Sequence, residues 1–258
     1  MIINFAMMKK YAPLFKELIK RDLKIKYRRS FLGYVWSLMN PLLMMCVLTI
    51  VFSYVFRFDI ANYPLYLITG QIVFNFFSES TTAAMSSVIS NAGLLKKVYL
   101  PKMVFPLASV ASSFINMIFS LSAIFIVMLA TKAKLTVVLA LLPVAMLVLF
   151  IFSLGISLMI SALAVFFRDL FHLYGVLLTA MSFATPIFYP ANIIPVDLQY
   201  ILQYNPLFYM VSLFREIIIY GIPPALDELG ICLLIGLLSV VIGLAMFIKL
   251  QNKFVMYI

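Results

Sequence analysis

Apolar and charged positions fall in long separate blocks along this chain. No Lys or Arg occurs between Arg29 and Arg57, and the run from Phe31 to Phe56 carries no ionised side chain. A hydrocarbon core about 30 Å thick is crossed by roughly 20 apolar helical residues, so this run predicts a first membrane span. The same reading predicts five more spans, over about 63–89, 103–131, 136–167, 170–188 and 226–248. Ahead of them, Tyr11, Leu14, Phe15, Leu18 and Ile19 recur at helical spacing, while Lys16, Lys20 and Lys24 form an i, i+4, i+8 ridge on another face. That pattern predicts an amphipathic helix whose apolar stripe lies in the headgroup region, with its lysines towards anionic lipid and cytosol. Arg21 and Asp22 interrupt the stripe, and Arg28 and Arg29 close the basic stretch.

Three departures from plain apolar runs stand out. The latter half of the second span reads N-F-F-S-E-S-T-T-A-A-M-S-S, so one face of it is not built for lipid, and Glu79 lies within the run. An ionisable residue at membrane depth marks either a functional position or a hydrogen-bonded packing position. Between the second and third spans, N-A-G-L-L-K-K-V-Y-L-P-K-M-V-F-P carries Lys96, Lys97 and Lys102 and is bounded by Pro101 and Pro106. It predicts a short basic helix with Leu94, Leu95, Val98 and Tyr99 on one side, suited to docking on a partner. From Pro186 to Pro224 lie six of the 12 prolines, separating short aromatic-apolar pieces. Such pieces predict re-entrant or interfacial helices, with Arg215 and Glu216 at their polar edge.

Composition narrows the class. A chain of 258 residues that is 65% apolar and 11% charged is a polytopic membrane protein and not a soluble domain. The net charge of +10 reflects asymmetry across a bilayer and not nucleic-acid binding: with the amino terminus inside, 15 of the 19 Lys and Arg fall on the cytoplasmic side. Phe167, Arg168, Asp169 and Leu170 make a tight cytoplasmic turn, and both termini are cytoplasmic. Cys46 and Cys232 sit in apolar runs and are expected to be buried free thiols. His172, the sole histidine, is expected to be an interfacial side chain. No glycine loop precedes a Lys, no His, Cys or carboxylate cluster suggests a metal, and no nucleophile lies beside a base. No two glycines are separated by three residues, so no paired-glycine interface is expected. The chain reads as a conduit without its own engine. Its 24 Phe, 14 Tyr and one Trp, gathered where spans end and mixed with Ser, Thr and Asn, suit either interfacial belts or a route for sugars.

Five stretches, in order and covering nearly the entire chain, resemble one family: R-R-S-F-L-G-Y-V-W-S-L-M-N-P-L-L (28–43), L-L-K-K-V-Y-L-P-K (94–102), F-F-R-D-L (166–170), T-P-I-F-Y-P (185–190) and N-P-L-F-Y-M-V-S-L-F-R (205–215). They are similar to the permease subunits of type-2 ABC polysaccharide exporters, which serve O-antigen, teichoic acid and related glycans. The resemblance implies an all-α fold with a cytoplasmic interfacial helix over 1–30 and a six-helix membrane domain over 31–258. It implies a homodimer joined to two ATP-binding-cassette subunits, which bind ATP and Mg, in a bacterial cytoplasmic (inner) membrane. The cargo would be a glycan on an undecaprenyl-type lipid, and this chain itself would hold no cofactor and no nucleic acid. It further implies a coupling helix over about 91–100 that contacts the ATPase through Leu95, Lys96, Lys97 and Tyr99, with Arg168 and Asp169 in the cytoplasmic turn. Outer gate helices over about 191–221 would use Asn205, Pro206 and Arg215, with Phe188 and Tyr189 beside them. Trp36 and Glu79 are our candidates for the pathway or its entrance, and Lys16, Lys20, Lys24, Arg28 and Arg29 for the lipid interface. A drug or lipo-oligosaccharide exporter of the same superfamily, told apart by its neighbouring genes, stands as the alternative. A proton-coupled carrier using Glu79 would instead keep its activity without any ATPase. A membrane-embedded glycosyl-lipid transferase would form product without ATP, and the scarcity of acids and histidine argues against it.

Overall fold

In a computed structural model, the structure describes residues 5–27, 33, 35–53, 60–98, 100–195, 197 and 199–257, with side chains from Tyr11 onward except those of 201 and 255. Every regular element among the described residues is helical. In chain order they are α1 (Phe5–Tyr27), α2 (Val35–Val51), α3 (Tyr63–Ser90), α4 (Ala92–Lys97), α5 (Val104–Ala130), α6 (Leu142–Phe166), α7 (Leu170–Ala184), α8 (Gln199–Gln203), α9 (Pro206–Arg215), α10 (Leu226–Leu250) and α11 (Phe254–Tyr257). A 3-10 turn, Val137–Leu141, leads into α6, and a π-turn, Glu216–Tyr220, extends α9. Prolines start several helices: α3, α6 and α9 each carry one at the first or second position, where the missing N–H costs nothing.

α5, α10 and the continuous helix from Val137 to Phe166 are each long and apolar enough to cross a membrane, and α2 and α7 are shorter apolar helices. α3 is different. Its 28 residues rise about 42 Å, yet its polar half keeps it from the apolar class. It is buried instead: Leu67, Ile68, Val73 and Thr81 are fully covered, and α3 packs on α2, α5, α6 and α9. Phe77 of α3 stacks on Phe152 of α6 at 5.5 Å between ring centroids. Two of the long apolar helices, α5 and α6, therefore pack against α3, and α10 packs on α6 and α9.

α6 and α10 meet backbone to backbone. A Cβ on Gly155 would lie 2.2 Å from the Ser239 carbonyl carbon, and one on Gly243 would lie 2.3 Å from the Gly155 oxygen. Ser239 Oγ donates across the contact to the Phe152 carbonyl at 3.2 Å. No paired-glycine motif occurs on either helix, but the close approach exists because Gly155 on one faces Ser239 and Gly243, four residues apart, on the other.

The apolar stripe of α1 meets an apolar counterface within the protein: Leu18 is buried, and Leu14, Phe15 and Ile19 are half-buried, against Phe105 and Ala108 of α5. Three expectations are corrected. α7 ends at Ala184 rather than at Phe188, since Thr185 precedes Pro186 and takes an extended backbone, φ −98° and ψ 126°. α4 is six residues long and gives way to an extended Val98, so it is shorter than the expected helix over about 91–100; Leu95 is half-buried, and Leu94 and Val98 are exposed. Cys232 is buried, but Cys46 is exposed, because α2 shows one flank to the surroundings.

Candidate functional site

A groove of about 540 Å³ lies between the end of α1 and the facing sides of α2, α3 and α5. A second hollow of about 280 Å³ continues it along α1, and Lys26, Glu79, Ser113 and Asn116 border both. Two helices furnish the polar lining with one spacing. On α3 the residues include Asn75, Ser78, Glu79, Thr82 and Ser86, with Ser87 and Ser90 at the end of the second hollow; on α5 they are Ser109, Ser112, Ser113, Asn116 and Ser120. The five residues of 75–86 and the five of 109–120 each follow i, i+3, i+4, i+7, i+11, which places each five along one helix face. α2 adds Trp36, Ser37 and Asn40.

Glu79 sits at the centre. Its Oε1 accepts from Lys26 Nζ of α1 at 2.8 Å, from Asn116 Nδ2 of α5 at 2.8 Å and from Ser113 Oγ at 3.4 Å. Ser120 Oγ donates to the Ser37 carbonyl at 3.1 Å and so ties α5 to α2 on the far wall. Glu79 and Trp36, singled out from sequence, thus border the same groove.

A second contact fixes α1. Arg21 Nη1 donates to Asn91 Oδ1 at 2.7 Å, while Arg21 Nη2 pairs with Asp22 Oδ1 at 2.9 Å. Asn91 joins α3 to α4, and its Nδ2 donates to the Ser87 carbonyl at 2.7 Å. The residues that break the stripe of α1 are therefore the ones that anchor it. Lys16, Lys20 and Lys24 are exposed, as a ridge should be; Arg28, Arg29 and Tyr99 lie outside the described residues. Lys96 and Lys97 are exposed on α4, and Arg168 and Asp169 on the turn before α7. Beyond α4, Lys102 Nζ donates to the Gln251 carbonyl at 2.5 Å and lies 5.6 Å from the centre of the Phe254 ring, and burial pushes its pKa down. α11 is thereby clamped to the start of α5.

The opposite end holds another convergence. Arg215 closes α9 with only 6% of its surface exposed, and its guanidinium lies 3.4 Å from the centre of the Tyr66 ring of α3. Its Nη2 donates to the Ile187 carbonyl at 3.3 Å. Tyr63 and Tyr66 hydroxyls donate to the Phe188 and Tyr189 carbonyls at 2.7 and 3.0 Å. Asn205 caps α9 by accepting from the Leu207 N–H at 3.0 Å, and its amide donates to Thr185 Oγ1 at 2.9 Å. Asn205, Pro206, Arg215, Phe188 and Tyr189 thus gather in one assembly that stitches the 185–190 stretch to α9 and α3.

Lys26, Arg21, Asn91, Asn116, Asn40 and Asn75 were not named as site residues from sequence, although Arg21 was noted as breaking the stripe. The repeated polar spacing on 75–86 and 109–120 was the signal that could have found the α3 and α5 members.

The sequence model of the ABC-2 type transporter family matches residues 13–219. The chain is 34% identical over 236 residues to the O-antigen export system permease protein RfbA of Klebsiella pneumoniae, covering 91% of this chain and 90% of that one. It is 33% identical over 209 residues to the RfbA protein of Myxococcus xanthus, with 80% of each chain covered. The polysialic acid transport protein KpsM of Escherichia coli is similar at 25% identity over 238 residues, with 89% and 90% covered.

Proposed function

The chain belongs to the ABC-2 type transporter family, and we propose that it is the membrane permease of an ATP-driven exporter of lipid-linked polysaccharide. It is a multi-pass membrane protein. The observation that carries the reading is the match, over nine-tenths of both chains, to permeases named for O-antigen export. A groove of amide and hydroxyl groups cut into an apolar bundle supports it.

In this reading α2, α3, α5, α6, α7 and α10 are the six spans of the domain 31–258, and residues 1–30 lie on the cytoplasmic face of the inner membrane. The cation asymmetry favours that orientation, with both termini inside. The exposed ridge of Lys16, Lys20 and Lys24 meets anionic lipid, worth about 1 kcal/mol per cation at such a surface. Two copies line the route, and each takes one ATP-binding-cassette subunit, which holds ATP and magnesium. α4 seats on that subunit through Leu95, Lys96 and Lys97. Arg21 and Asn91 pass its displacement to α1, because packed helices shift as rigid bodies. The assembly around Arg215 and Asn205 forms the outer gate, and the cargo is a glycan on a polyprenyl-type lipid.

Deletion of the gene tests the reading. Surface polysaccharide disappears and its lipid-linked form accumulates inside, and wild-type permease restores export only when its ATPase is present. Export that persists without the ATPase overturns it.

A further inference from the structure

We propose that the groove between α1, α2, α3 and α5 binds an uncharged sugar unit of the exported chain, an inference that rests on the polysaccharide reading above. Charge balance is the first argument. The described cations bordering the groove and its extension are Lys26 and Arg21, and each already faces a carboxylate, Glu79 at 2.8 Å and Asp22 at 2.9 Å. A phosphate headgroup would find no uncompensated cation among them and would meet two carboxylates. A neutral ligand meets no such opposition.

Hydrogen-bonding capacity is the second. Asn40, Asn75 and Thr82 are exposed in the groove, and none of them makes a side-chain hydrogen bond within the described chain. Glu79 carries all its contacts on Oε1, which leaves Oε2 free to accept. Two amides, a hydroxyl and a carboxylate oxygen, spread over facing helices, match the closely spaced hydroxyls of a pyranose ring. Shape is the third. Trp36, 44% exposed, forms one wall and offers an aromatic face on which the C–H face of a sugar packs. The cavity of about 540 Å³ lies in the range of sites that enclose small organic ligands. Lys26 closes the groove from α1, so a shift of α1 away from Glu79 widens the mouth.

The test uses the permease–ATPase complex in lipid nanodiscs. The polysaccharide that disappears from the surface of the deletion strain is cleaved by mild acid to short oligosaccharides, which serve as the probe. Trp36 is the sole tryptophan of the chain, so the part of the emission change that a Trp36→Phe complex lacks reports on the groove, and equilibrium dialysis measures binding directly. The oligosaccharides bind saturably and shift Trp36 emission, whereas inorganic pyrophosphate does neither. Asn75→Leu combined with Thr82→Val, at two exposed positions without internal partners, weakens oligosaccharide binding about tenfold or more and leaves the melting temperature unchanged. Absence of oligosaccharide binding, binding indifferent to the double variant, or pyrophosphate binding that the variant weakens overturns the sugar site. A deletion strain that keeps all its surface polysaccharide instead overturns the export reading beneath it.

Discussion

Lys26 Nζ donates to Glu79 Oε1 at 2.8 Å across 53 positions of sequence, so the last turn of α1 is held on the middle of α3. The two side chains are 41% and 38% exposed, which limits the pair to about 0–1 kcal/mol. Lys26→Met should therefore leave the melting temperature nearly unchanged and lower export severalfold. Glu79→Ala should cost more stability, about 1–3 kcal/mol, because it also removes an acceptor shared by the Asn116 amide and the Ser113 hydroxyl. Detergent-phase melting curves of both variants measure the difference; equal losses would contradict it.

Arg215 is held by a ring face and carbonyl oxygens and by no carboxylate among the described residues. A lysine cannot reproduce the flat stack on Tyr66. Arg215→Lys should lose about 1–2 kcal/mol and Arg215→Leu should disorder the 185–190 stretch. Protease accessibility of that stretch in sealed spheroplasts measures both, and protection equal to wild type in Arg215→Leu would contradict the assignment.

The α6–α10 contact admits no Cβ. Gly155→Ala should destabilise the protein by about 1–3 kcal/mol, as overpacking does. Gly175→Ala is the control, since nothing lies within 4 Å of its Cβ position, and it should be neutral or gain a few tenths of a kcal/mol from about 1 kcal/mol of helix propensity. Thermal unfolding of the two in parallel reads the contrast.

The lengths and limits of α3, α5 and α10 were legible within a residue or two, because apolar blocks bounded by Pro64, Lys102 and Lys249 leave little freedom. The C-terminal end of α7 was not, since the extended Thr185 is a local effect of Pro186 that an apolar count ignores. The polar face of α3 was visible, but its partner was not: Lys26 reads as one more cation of a basic helix until the fold brings it to Glu79. For the same reason the stripe of α1 was legible as apolar and its counterface was not, because Phe105 and Ala108 belong to a helix that apolar periodicity alone leaves unpaired with it.

Lys96 and Lys97 are exposed, so reversing their charge should leave folding within about 0.5 kcal/mol of wild type. Lys96→Glu with Lys97→Glu should nevertheless cut export by about tenfold or more, the scale of an ordinary coupling energy. ATP hydrolysis and export measured on the same proteoliposomes separate the two effects, and a fully coupled double variant would remove α4 from the ATPase contact.

Phe254 is fully buried against Phe166 and Phe247, next to Lys102. Phe254→Ala should cost about 3–5 kcal/mol at that end of the bundle, and melting curves would register it.

α3 also bears on how the protein is made. A helix with Asn75, Ser78, Glu79, Thr82 and Ser86 along one side is a poor candidate to leave the translocon alone, because that side is polar and the Asn116 amide that meets Glu79 belongs to α5. The matching side of α5 emerges from the ribosome only after α4 has been synthesised. In the proposed six-span reading, α3 waits at the membrane's edge until α5 arrives, and the two partition into the bilayer as a hairpin.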